Sequence, residues 1–125
     1  VTNCVSLKLP YPPSVNVYWR KRGNITYLSK KGRQFKTAVA EYVSEHNVRK
    51  FGSKAVEVCI ILNPRSRSGF MDIDNCCKAV LDSCQDAGVF DDDNQVVRLV
   101  VERGVYTKGG ACLVFVNERT NHGEQ

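Results

Sequence analysis

The chain has 125 residues, 42% hydrophobic and 25% charged, with a net charge of +5 and an isoelectric point near 9.0. These values fit one folded domain that buries its core without staples, and no apolar run reaches the roughly 20 residues needed to cross a bilayer. The positive balance points to an anionic partner, nucleic acid first, or else to charge that only keeps the protein dissolved. The opening VTNCVSLKLPYPP lacks the charged-then-apolar order of a signal peptide. Cys4, Cys59, Cys76, Cys77, Cys84 and Cys112 lie among aliphatic residues with no CxxC pair. They read as reduced, mostly buried thiols of a cytosolic protein rather than a zinc site.

In chain order, CVSLKL (4–9) alternates as a strand. PYPPSVN follows as an extended loop, forced by its prolines. ITYL (25–28) reads as a short strand. Ser29 is placed to cap a helix over about 30–48, in which Phe35, Val39, Tyr42 and Val43 recur at helical spacing. AVEVCIIL (55–62) reads as a buried strand and NPRSRSG as a cationic loop. The next helix carries Cys77, Val80, Leu81 and Cys84 as its apolar stripe and stops at Gly88. QVVRLVVERGVYT and ACLVFV read as two strands joined in a hairpin through Lys108-Gly109-Gly110.

Charge is unevenly spread. The first forty residues hold eight Lys or Arg (Lys8, Arg20, Lys21, Arg22, Lys30, Lys31, Arg33, Lys36) and no acid. Tyr18, Trp19 and Tyr27 interleave with them, a composition suited to phosphate contact and base stacking, or simply a solvated face. Seven of the thirteen acids fall in 71-MDIDNCCKAVLDSCQDAGVFDDDNQVV-97. Asp72 and Asp74 stand where a helix starts, and a carboxylate there can cap free N–H groups. Capping accounts for one Asp better than for two. Asp74, Lys78 and Asp82 share a polar stripe by their i, i+4, i+8 spacing.

Beyond Gly88 the chain reverses through Asp91, Asp92 and Asp93, which either form a solvated turn or return a carboxylate to the helix. Converging carboxylates repel unless a cation compensates, and oxygen ligands favour Mg²⁺ or Mn²⁺ over zinc. A basic surface around such a site suits phosphodiester hydrolysis, with a nearby lysine stabilising developing charge. An EF-hand is excluded because the required glycine is missing after both acid pairs. His46 and His122 give no support for Ser-His-Asp or Cys-His chemistry.

Four segments, LPYPPSVNVYWR, SKKGRQFKTAV, DIDNCCKAVLDSCQDAGVFDDDNQVV and TKGG, occur in the order found in a known family. The chain resembles the RusA-type Holliday junction resolvases, small endonucleases common in phages and prophages. The resemblance implies a homodimer that binds four-way DNA junctions and makes paired symmetric nicks with Mg²⁺, or Mn²⁺ in its place. It places the catalytic, metal-holding carboxylates on Asp72, Asp74 and Asp93, the last being the Asp two residues before Gln95. It places the catalytic lysine on Lys78, and Asn16 and Asn75 match positions usual in the family. Family members often carry a dense arginine run directly before the first Asp; here Arg65 and Arg67 stand back and Phe70-Met71 intervene.

The expectation is therefore one α+β domain over 1–118, with a mixed sheet and two main helices, and a flexible tail over 119–125. Arg20, Lys21, Arg22, Lys30, Lys31, Arg65 and Arg67, with Asn16 and Asn75, would contact DNA. Branched DNA is the expected partner, with no membrane association and a cytoplasmic location in a bacterium or phage-infected cell. A nuclease for flaps and forks, and a DNA-binding module without catalysis, stand as the alternatives.

Overall fold

The computed structural model describes residues 4–68 and 72–119. In chain order its elements are β1 (Cys4–Leu9), α1 (Val15–Tyr18), β2 (Trp19–Arg22), β3 (Ile25–Leu28), α2 (Lys30–Glu45), β4 (Val56–Asn63), α3 (Cys77–Asp86), β5 (Val96–Arg103) and β6 (Ala111–Glu118). Short 3-10 turns at Ile73–Cys76 and Asp93–Gln95 flank α3. Four strands make one sheet in the order β1-β6-β4-β5, and β2 pairs with β3 in a separate hairpin. β4 and β5 are parallel, whereas β6 is antiparallel to both β1 and β4. The expected α+β architecture, a mixed sheet with two main helices, is what the chain forms.

The core lies between one sheet face and the helices. Val56, Val58, Ile60 and Leu62 on β4 are buried against Phe35, Val39 and Val43 of α2 and Val80 and Cys84 of α3. Each buried aliphatic side chain contributes roughly 1.5–3 kcal/mol. β4 was expected to be buried throughout, but Glu57, Cys59, Ile61 and Asn63 are half-exposed. Helices cover only one face of the sheet, so period-two alternation appears. On α3 the buried set is Cys76 just before it, then Ala79, Val80, Ser83 and Cys84, with Cys77 and Leu81 half-buried. The helix packs on α2 and shares the core cluster with β4, so small residues enter the stripe.

Local chemistry fixes the helix ends. Ser29 Oγ accepts from the Gly32 N–H at 3.0 Å, as a cap should. α2 stops at Glu45, short of the expected 48, because Asn47 turns left-handed at φ 51° and Val48 N–H reaches back to Val43 O at 3.1 Å. α3 ends as expected at Gly88 (φ 85°), where Gly88 and Val89 N–H groups close onto Gln85 O and Cys84 O, each at 3.0 Å.

One expected pairing is absent. β5 and β6 are not a hairpin, because β6 inserts between β1 and β4 while β5 lies parallel to β4 at the sheet edge. Lys108-Gly109-Gly110 does turn the chain, with Gly110 N–H on Thr107 O at 2.8 Å, but that turn feeds a strand two places away. Arg119, assigned to the tail, donates its N–H to Ala55 O at 2.8 Å. The rest of that tail, and Phe70 and Met71, lie outside the described residues.

Candidate active site

The β4-to-β5 connection carries every expected catalytic residue. It runs through the Ile73–Cys76 turn, α3 and the Asp93–Gln95 turn before β5 begins. The first turn packs against α3 and β5, and the second packs against α3. Both acidic segments therefore sit on the framework that the parallel strand pair requires.

Asp93 is held from two sides. Its N–H donates to Gln85 Oε1 of α3 at 2.8 Å. Its carboxylate lies 3.7 Å from Lys78 Nζ, seven residues earlier on the same helix as Gln85. Sequence distance hides this meeting of Lys78 and Asp93. Asp92 plays another part: its Oδ1 accepts from Asn94 N–H at 2.9 Å, forming a capping box with Gln95. Of the three consecutive acids, Asp93 is thus the one directed at Lys78.

Gln95 is the residue the sequence reading passed over. Its Oε1 accepts from Asp91 N–H at 3.0 Å and Asp92 N–H at 2.9 Å. Its Nε2 donates to Gly52 O at 2.7 Å and Lys54 O at 2.6 Å. One amide side chain thereby pins the acidic turn to the loop before β4. The signal was present as Asp92-x-x-Gln95, the capping-box spacing.

Asp72 precedes the first 3-10 turn and makes no side-chain cap bond. Its carbonyl accepts from Asn75 N–H at 3.1 Å. Among the described residues neither Asp72 nor Asp74 is in an ion pair, and both are exposed. Asp74 lies near two thiols: burial first, then Cys77 and Asp74, pushes Cys76 up to about 11. Burial and Asp74 also raise Cys77.

The expected stripe of Asp74, Lys78 and Asp82 does not act as one unit. Asp82 accepts from the buried Tyr18 hydroxyl and pairs with Lys36 at 3.2 Å, tying α3 to α1 and α2. Burial, then the Asp82 hydrogen bond, raises the Tyr18 hydroxyl well above its ordinary value.

Asp72, Asp74 and Asp93 offer only carboxylate oxygens, a donor set that suits a hard divalent cation in kind. Among the described residues, however, no three His, Cys, Asp or Glu side chains stand close enough together to hold a metal. Lys78 supplies the only ion pair to this trio among those residues.

The expected DNA contacts divide by place. Arg20, Lys21 and Arg22 lie exposed on β2, where Arg20 faces Tyr27 and Arg22 faces Ile25 across the hairpin. Asn16 is exposed on α1, Lys30 is exposed in the first turn of α2, and Asn75 is half-buried in the first 3-10 turn. Lys31 and Arg65 both line a groove of about 510 Å³ walled by Pro12, Pro13 and Phe35. Arg67 instead stacks on the Tyr106 ring, 4.3 Å from its centroid. Arg33, which donates to Leu28 O at 2.8 Å, and Lys36 serve the fold.

The family model described as Endodeoxyribonuclease RusA matches residues 10–116. A crossover junction endodeoxyribonuclease of Enterobacteria phage HK97 is 37% identical over 111 residues, covering 88% of this chain and 91% of its own. The protein of that name from Escherichia coli K12 is 32% identical over 122 residues, 95% of this chain and 98% of its own. That of Enterobacteria phage 82 is 31% identical over the same shares. The described elements from Pro10 to Val116, the acidic connection included, all lie within the matched span, and the chain belongs to the RusA family of endodeoxyribonucleases.

Proposed function

We propose that this RusA-family endodeoxyribonuclease cuts four-way DNA junctions by paired nicks, as a cytoplasmic homodimer that uses Mg²⁺ or Mn²⁺. Asp72, Asp74 and Asp93 would hold the cation, and Lys78 would stabilise charge on the phosphate. The observation that carries the reading is Lys78 drawn to Asp93 at the helix that Asp72 and Asp74 introduce. A bound divalent ion there would polarise a phosphate oxygen and lower the pKa of a water.

The chain's own part is positioning. Gln85 and Gln95 fix the acidic turn against α3 and the loop before β4. The Lys78–Asp93 pair is loose at 3.7 Å, with half of the lysine side chain exposed. Such a pair is worth at most about 1 kcal/mol, so Lys78 is readily released to a phosphate oxygen. The exposed β2–β3 hairpin presents Arg20, Arg22 and Tyr27 on one face, suited to backbone contact and stacking.

The test compares wild type and Asp72→Asn on junction, flap and duplex DNA, with Mg²⁺ and then with EDTA. The variant is expected to bind junctions as tightly as wild type or more so, since a charge that repels DNA is gone, and not to cut. Full nicking by the variant would overturn the metal assignment. Wild-type binding without cleavage in either condition would leave a DNA-binding module. Equal cutting of flaps would widen the substrate to branched DNA.

A further inference from the structure

β5 is an edge strand eight residues long, and among the described residues nothing pairs with its outer side. Gly104 N–H donates to Leu62 O of β4 at 2.8 Å. In a parallel ladder the polar groups of alternate residues turn to the same neighbour. From Arg98 onward the even-numbered residues of β5 therefore address β4, and the backbone groups of Leu99 and Val101 face the open edge. Leu99 is 41% exposed, although it pairs with the buried Val58 on the helix side of the sheet, and Val97, at the bulge before Arg98, is 53% exposed. A long edge whose N–H and C=O groups are unpaired is a template for another strand, and charged side chains on it restrict which strand can pair.

The side chains specify which strand. Glu57, Cys59 and Ile61 of β4 register with Arg98, Val100 and Glu102. Arg98, Val100 and Glu102 thus share the outer sheet face. A second β5 running antiparallel about a two-fold axis at Val100 sets Arg98 of each copy opposite Glu102 of the other. Leu99 then falls opposite Val101, and those two have the outward-facing backbone groups that close hydrogen-bonded pairs. Arg98 and Glu102 fall at the non-hydrogen-bonded sites, where side chains come closer. Charge pattern and backbone polarity thus select the same register.

We infer that two copies of this chain pair through β5, antiparallel and centred on Val100, into a continuous eight-stranded sheet. This locates the homodimer surface and rests on the reading of the chain as a two-fold nuclease. The axis is perpendicular to the sheet, so both acidic connections lie on the same face. The two Val96 residues, where β5 leaves the acidic turn, would stand roughly 25–30 Å apart at 3.4 Å per residue.

The test reads oligomeric state by sedimentation, without DNA or metal, for Arg98→Glu, Glu102→Arg and the doubly swapped chain. Either single reversal should raise the dimer dissociation constant about ten-fold or more, by setting like charges opposite each other twice. The double swap should restore it, and mixing the two single variants should give a heterodimer. Leu99→Pro removes an outward N–H without touching the bond to β4, and should also leave a monomer. A wild-type monomer at all concentrations overturns the proposal. So does a dimer indifferent to these changes, which would place the surface elsewhere, such as the half-exposed sheet face. Nicking of junctions, assayed separately on the same variants, reports on the nuclease reading alone.

Discussion

Lys78 Nζ stands 3.7 Å from Asp93 Oδ2, joining the first turn of α3 to the turn that precedes β5. The pair is half-exposed and loose, so its value to stability is small. Its value to the proposed reaction is location, since it keeps an ammonium group beside the acids. Lys78→Met should leave the melting temperature within a few degrees of wild type. Single-turnover nicking should fall about 100-fold, the scale for losing one charge-stabilising donor. Junction binding should weaken only slightly, with the salt slope lowered by about one. A large loss of affinity with unchanged turnover would instead make Lys78 a binding residue.

Gln95 offers a sharper test of positioning. Its amide uses both ends, accepting from Asp91 and Asp92 and donating to Gly52 and Lys54. Gln95→Glu keeps size and acceptor but turns an oxygen towards two carbonyl oxygens. Stability should fall by about 1–3 kcal/mol in urea unfolding, and Gln95→Ala should fall no further. Nicking should drop in both because Asp93 is displaced. If Gln95→Glu were as stable as wild type, the side chain would not be what holds the turn.

Tyr18→Phe should behave in the opposite way. The hydroxyl donates to Asp82, which keeps Lys36 as a partner when the hydroxyl is removed. The expected loss is about 1–2 kcal/mol, with nicking unchanged at saturating DNA. A fall in turnover would give this buried link a part in the active site.

The thiols set the alkaline limit. Burial pushes Cys84 up to about 12 and raises Cys112 still further above its ordinary value. Burial, Cys77 and Asp74 push Cys76 up to about 11. A raised acid binds its proton more tightly in the folded state than in the unfolded one. That contribution is complete below the ordinary thiol value of 9.0 and is lost as pH rises through the folded values near 11 and 12. Unfolding free energy from urea titrations should be level from pH 7 to about 8.5, then decline. Native protein should react with a disulfide reagent first at the exposed Cys4 and, at Cys84 and Cys112, only after unfolding. Rapid native labelling of Cys84 would show that α3 opens.

Much of this was legible because it is local. Ser29 and Gly88 marked helix ends that the chain uses, and alternation marked β1 and β4. The charge of 71–97 marked the segment that carries the proposed site. Pairing was not legible: nothing in ACLVFV says whether it follows β5 in a hairpin or fills the space between β1 and β4. The apolar pattern satisfies both, and only the packed sheet decides. Likewise Asp82 looked like a neighbour of Lys78 on a helical wheel. Its partners, Tyr18 and Lys36, are distant in sequence and found by packing. Asn47 ended α2 early because its left-handed backbone depends on closing that turn.

The sheet order has a consequence for synthesis. β1 hydrogen-bonds to β6, and β6 in turn separates β1 from β4. A growing chain therefore holds its first described strand without a strand partner until residues 111–118 have left the ribosome. Vectorial folding from the amino terminus is closed to it. A nascent chain halted before Ala111 would keep β4, α3 and β5 yet leave the sheet split, so DNA in the cell would meet the enzyme only once translation had passed β6.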